Sequence, residues 1–98
     1  MSSRVILITG ANGGLGQAIA RAFLQESPDN AVWLGVRNGR EQADKLAQEN
    51  AGRCHCIALD VTAPASWQAA VREILTRHQR LDVLVNNAGS HEDALLAT

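Results

Sequence analysis

Val5-Ile6-Leu7-Ile8-Thr9-Gly10-Ala11-Asn12-Gly13-Gly14-Leu15-Gly16 is a short apolar run that ends in glycines and passes at once into a helical pattern. Residues 5–9 carry no charge and read as a strand buried on both faces. Beyond the glycines, Leu15, Ile19, Ala22 and Phe23 recur at helical spacing, with Gln17, Arg21 and Gln25 between them. A helix that starts this way turns its unpaired N–H groups, and the positive end of its dipole, toward the carboxyl end of the strand. Gly10 permits a tight turn. Gly14 and Gly16 permit close approach of an anion and of the helix to the sheet, and Asn12 adds a side-chain amide. The layout is that of a phosphate cradle; the plainer alternative is a tight connection.

Working outward, strands and helices alternate. Ser27-Pro28-Asp29-Asn30 ends the first helix, and residues 31–36 form a second apolar strand. Arg37-Asn38-Gly39 is a short connection. Residues 40–50 are helical, with Ala43, Leu46 and Ala47 inward, a Glu41–Lys45 pair and a closing Gly52. A third strand covers residues 54–59 and ends in Asp60-Val61. Thr62-Ala63-Pro64 opens a third helix, whose inner face is Trp67, Ala70, Val71, Ile74, Leu75 and His78. A fourth strand at 81–85 runs into Asn86-Asn87-Ala88-Gly89, and residues 90–98 show no clear pattern. Such alternation predicts an α/β fold, a Rossmann-like doubly wound parallel sheet of order 3-2-1-4 with helices on both faces. The crevice between the first and fourth strands is where such sheets take ligands.

Composition bounds the function. The 98 residues make one domain or part of one, 46% hydrophobic, with a net charge of −1. No basic field argues for nucleic acid, and no apolar stretch approaches a membrane span. Met1-Ser2-Ser3-Arg4 enters the first strand without a secretory hydrophobic region, so a cytoplasmic protein is expected. Cys54 and Cys56 share one face of a strand with His55 opposite. Two thiolates fall short of the roughly four ligands zinc needs, so both read as small buried apolar residues and no metal is expected.

The three motifs together resemble the short-chain dehydrogenase/reductase family. Residues 9–16 are similar to its Thr-Gly-x-x-x-Gly-x-Gly turn, Asp60-Val61 to its adenine-contacting pair, and Asn86-Asn87-Ala88-Gly89 to its Asn-Asn-Ala-Gly turn. The resemblance covers nearly the whole chain, residues 1–98 being expected as the N-terminal part of an NADP-binding domain, but only the first, cofactor-binding half of the family fold. It implies a cofactor site made of Gly10, Asn12, Gly13, Gly14, Leu15, Gly16, Arg37, Asn38, Asp60, Val61, Asn87, Ala88 and Gly89. Within that site Asn86 is expected to satisfy backbone groups where the strands end. Asp60 either meets adenine or forms a capping turn with Thr62, or both.

NAD-binding sheets place a carboxylate at the end of the second strand, and the matching position here is Val36, followed by Arg37. A guanidinium pairs with a 2′-phosphate, and Arg40 adds a second positive charge nearby, so NADP(H) is expected over NAD(H). The alternative is that Arg37 is a solvated strand-end residue.

The family's general acid is a tyrosine, with a lysine four residues later, aided by a serine and an asparagine. All lie past the fourth strand. This chain has no tyrosine, and its one lysine, Lys45, is on the second helix. His55 reads as a strand residue and His78 as part of a helix face, while His91 follows the cofactor turn. No catalytic residue is assigned, and the 98 residues alone are expected to be inactive. A bare fourth-strand edge would invite association, so the chain is expected to be the first part of a longer protein. That protein would be a homo-oligomeric NADP-dependent oxidoreductase of a small carbonyl or alcohol, by analogy a 3-oxoacyl-thioester reductase. The alternative is a non-catalytic NADP(H)-binding or interaction fragment.

Overall fold

The computed structural model describes residues 3–87 and the backbone of 96–97. Eight elements follow one another: β1 (Val5–Thr9), α1 (Gly14–Glu26), β2 (Ala31–Val36), α2 (Glu41–Glu49), β3 (Cys54–Ala58), α3 (Pro64–His78), β4 (Val83–Val85) and β5 (Leu96–Ala97). The sheet order is β3-β2-β1-β4-β5, parallel except for the antiparallel β4–β5 pair. The expected 3-2-1-4 order is therefore observed.

The central strands are continuously apolar because each alternate residue feeds a different core. Ile6 and Ile8 of β1 join Val32, Leu34 and Val36 of β2 in one core, under α1 and α2. Val5 and Leu7 join Trp33 in the other, under Ala70 and Ile74 of α3. Period-two alternation thus builds both faces from one run of sequence. Two polar side chains clamp the opposite end of the sheet from the glycine turn. Asp82 accepts a 2.7 Å bond from the Val5 N–H. Buried Asn30 accepts from the Arg4 N–H at 2.9 Å and donates to the Phe23 carbonyl at 2.8 Å.

The helices sit in a different rotation from the one their large residues suggest. In α1 the buried line is Gly16, Ala20 and Leu24, with Ile19 and Phe23 half-buried beside it. Ala22 is exposed, and Leu15 is 66% exposed. The smallest side chains occupy the line of closest approach, so bulk moves to the flanks. The same correction applies to α3, where Ala70 and Ile74 are buried and Leu75 is 43% exposed.

Smaller departures have local causes. β3 ends at Ala58, one residue early, although Leu59 still donates to the Val36 carbonyl at 2.9 Å. Asn50, not Gly52, is the C-cap of α2; Gly52 lies two residues on, at φ 89°, a left-handed turn suited to glycine. Among the described residues, Arg40 at the N-cap of α2 pairs with Asp44 at 3.2 Å and Arg21 with Glu49 at 3.8 Å, in place of the expected Glu41–Lys45 pair. β4 covers 83–85 only, and its outer edge is met by β5, with Leu84 opposite Ala97 and Val85 opposite Leu96. The bare edge expected from the sequence is thus partly paired from within the chain.

Candidate functional site

The sheet's switch point lies beside β1, with β2 on one side and β4 on the other. At its carboxyl end Gly10 takes φ 60°, a left-handed conformation that turns the chain off the strand. The Ala11 N–H then bonds the Gly35 carbonyl at 3.1 Å, which ties the turn to the end of β2. Gly13 is the N-cap of α1 and supplies no side-chain cap, and the first turn of the helix holds no acid. The first intrahelical bond runs from Gln17 N–H to Gly13 carbonyl at 3.0 Å, so helix geometry leaves the Gly14, Leu15 and Gly16 N–H groups without i−4 acceptors.

The glycines of this turn serve unlike purposes. A Cβ on Gly16 would stand 2.7 Å from the Gly10 oxygen and 2.8 Å from Ala11 Cα, both backbone atoms that cannot yield. Gly16 is therefore required by the fold. A Cβ on Gly14 would meet nothing within 4 Å. Among the described residues, no atom explains the missing Cβ at this first position of the helix.

Across the crevice, the Asn87 N–H donates to Thr9 Oγ1 at 2.8 Å, and Asn87 Nδ2 donates to the Gly10 carbonyl at 3.1 Å. Thr9 Oγ1 also lies 3.2 Å from Asn86 Oδ1. The strand-end backbone role expected of Asn86 thus falls to the Asn87 amide. Ala88, Gly89 and His91 lie outside the described residues.

Arg37 and Asn38 are exposed past the end of β2. The Arg37 side chain is 61% exposed, with its Nε 3.7 Å from Asp60 Oδ2. Arg40 turns instead to Asp44. Asp60 Oδ1 accepts from the Thr62 hydroxyl at 2.7 Å and from its N–H at 3.0 Å. These bonds, then the Arg37 charge, hold the Asp60 carboxyl below its usual range, so it is ionised at neutral pH. The capping turn with Thr62 therefore forms, although the N-cap of α3 is Ala63. The half-buried Val61 gives its carbonyl to the Trp67 indole at 2.8 Å.

Asn12 does not point its acceptor into the crevice. Its Oδ1 takes the N–H groups of Gln42 and Ala43 at 2.8 and 3.1 Å, which caps α2 from 30 residues away. Sequence reasoning missed this contact. Its one signal was negative: the N-cap of α2 is Arg40, whose side chain makes no capping bond.

The histidines and cysteines lie elsewhere. His78 Nε2 accepts from the Trp33 indole at 3.0 Å, and His55 stacks on Trp33 at 4.6 Å. Burial pushes the Cys54 thiol up to about 12 and the Cys56 thiol up to about 11, so neither is a ready nucleophile. Among the described residues no group of three His, Cys, Asp or Glu side chains is placed to hold a metal. No helix among them is long and apolar enough to cross a membrane.

A doubly wound sheet with an uncapped, glycine-lined helix end at its switch point defines a nucleotide-binding α/β protein. The chain belongs to the short chain dehydrogenase family, whose sequence pattern it matches over residues 4–97. It is 38% identical over 92 residues to the oxidoreductase UcpA of Escherichia coli K12, covering 91% of this chain and 34% of that protein. A short-chain dehydrogenase structure from Streptomyces avermitilis superposes with a TM-score of 0.80 at 39% identity, over 90% of this chain and 31% of the other. A 3-ketoacyl-(acyl-carrier-protein) reductase from Brucella melitensis, solved with NADH, superposes at 0.77 and 34% identity, over 88% and 34% of the two chains. The chain spans 26–40% of the length of the curated relatives compared with it.

Proposed function

We propose that residues 1–98 are the NADP(H)-binding part of a cytoplasmic, homo-oligomeric oxidoreductase that moves a hydride between NADP(H) and a small carbonyl or alcohol. The observation that carries this is the N-terminus of α1, which has no side-chain cap and whose first residue, Gly14, has no described atom within 4 Å of where a Cβ would stand. The donors there are backbone N–H groups, which suit a diphosphate whatever the neighbouring side chains. Gly10 and Gly13 shape the loop and Leu15 lies at its rim. Asp60 and Val61 flank the adenine, and Asn87 lines the ribose side; likeness to the family assigns Ala88 and Gly89, outside the described residues, to the same cofactor site.

Arg37 is the group for the 2′-phosphate, with Asn38 beside it. It is exposed, its ion pair with Asp60 is long, and Val36 stands where NAD-binding sheets hold a carboxylate. A 2′-phosphate would draw Arg37 from Asp60, whose Thr62 bonds keep it in place. The NADH bound to the Brucella relative favours a second reading, in which Arg37 stays solvated and either dinucleotide binds.

When bound, the cofactor supplies or takes the hydride; this chain's residues bind and orient it. With no tyrosine, the 98 residues alone do not reduce a carbonyl. A 3-oxoacyl thioester is the substrate class favoured by likeness to the Brucella reductase. The free, buried Cys54 and free Cys56 accord with a reducing, cytoplasmic compartment.

Calorimetric titration with NADPH and NADH tests the cofactor assignment. NADPH binds more tightly to the wild type, and Arg37→Ala removes roughly tenfold or more of that advantage, the worth of one charge-assisted contact. Equal binding of both, unchanged in Arg37→Ala, overturns it.

A further inference from the structure

Asn12 sits in the glycine turn, yet its carboxamide serves another element. The bonds from Gln42 and Ala43 to Asn12 Oδ1 fasten the start of α2 to the phosphate loop. The connection Arg37-Asn38-Gly39 is therefore held at both ends. The bond from Leu59 N–H to Val36 carbonyl anchors it to the sheet, and Asn12 anchors it at the helix. Gly39 lies inside this bracket, where a Cβ would stand 3.0 Å from Asn12 Nδ2 and 3.3 Å from Glu41 Oε1. Arg37 itself is mostly exposed, and among the described residues its one ion pair is the 3.7 Å contact with Asp60, so the backbone of the bracket sets where its guanidinium can reach.

We infer that Asn12 is a positioning residue: by capping α2 it holds the Arg37 turn at a set distance from the glycine loop, and so sets selectivity for a dinucleotide with a 2′-phosphate over one without. The inference rests on the NADP(H) reading above. A loose turn presents Arg37 correctly only part of the time, and apparent affinity falls by that fraction. The diphosphate donors belong to α1, so a dinucleotide lacking the 2′-phosphate depends on the bracket much less.

The test titrates the wild type, Asn12→Ala and Gly39→Ala with NADPH and with NADH, and follows hydrogen exchange at the Gln42 and Ala43 amides. Asn12→Ala lowers NADPH affinity about fivefold, the usual worth of a helix cap, leaves NADH within about twofold, and exposes both amides. Gly39→Ala keeps Asn12 but crowds its amide, and shifts the NADPH-to-NADH ratio the same way by less. It also serves if Asn12→Ala does not fold. If the wild type prefers NADPH and neither variant changes the ratio, the inference fails and the NADP(H) reading stands. Equal loss for both dinucleotides also overturns it, by showing a purely structural role. A wild type without preference removes the reading and the inference together.

Discussion

The glycine turn and the Trp33–His55–His78 cluster gather the chain's most chemically suggestive groups, and they differ in one respect. In the cluster the polar atoms close on one another. The Trp33 N–H meets His78 Nε2 at 3.0 Å, His55 stacks on the indole, and the Arg77 guanidinium lies 5.6 Å from the ring centroid. At the turn, the first N–H groups of α1 have neither an i−4 acceptor nor a side-chain cap, and among the described residues Gly14 has open space where a Cβ would stand. Donors left facing open space at a switch point mark a binding site; histidines that satisfy a tryptophan mark packing.

The sharpest way to break this comparison is Gly14→Val. It fills the opening and disturbs no neighbour, so stability stays within about 0.5 kcal/mol. Dinucleotide affinity falls about a hundredfold, the loss of two charge-assisted hydrogen bonds. Denaturation and calorimetry on one sample read both, and unchanged affinity would end the binding-site interpretation.

Gly16→Ala is the converse. Its Cβ would strike backbone, so it destabilises the fold by about 2 kcal/mol and lowers the melting temperature by roughly 10 °C. A melting curve matching the wild type would show that the turn is looser than described.

Thr9→Val removes the acceptor of the Asn87 N–H and costs about 1 kcal/mol, read by chemical denaturation.

The smallest effect belongs to the cluster. Burial, then the Arg77 charge, holds His55 and His78 below the free imidazole value of 6.5, with His78 adding to the effect on His55. As pH falls through 6.5 the unfolded chain takes up protons before the folded one does, so stability is complete above that pH and declines below it. The depressed Asp60, Asp82 and Glu26 carboxyls lose their contributions only below about pH 4.5, outside this window. The melting temperature therefore drops modestly between pH 7.5 and 5.5, and less so in His78→Phe. An identical slope in that variant would remove His78 from the account.

Much of this was legible because the signals are local. Continuous apolar runs mark strands buried on both faces, and right-handed crossovers then leave one order for the first four. The glycine turn, Asp60-Val61 and the asparagine turn each follow a strand, so the topology brings them to one edge of the sheet. Helix rotation was not legible, because Gly16 and Ala20 make the closest contact in α1 while hydrophobic patterning weights the larger Leu15 and Phe23.

The amino-acid sequence by itself determined the family, the order of the elements from β1 to β4 and the parity that sends Ile6 and Leu7 to opposite cores, since these depend on residues near one another in the chain. Only the tertiary structure decided that Asn12 caps a helix 30 residues away, that Asn87 rather than Asn86 secures the turn, and that Gly14 faces open space while Gly16 faces backbone. Each of those depends on distances between segments remote in the chain, which exist only once the sheet has brought its strand ends together.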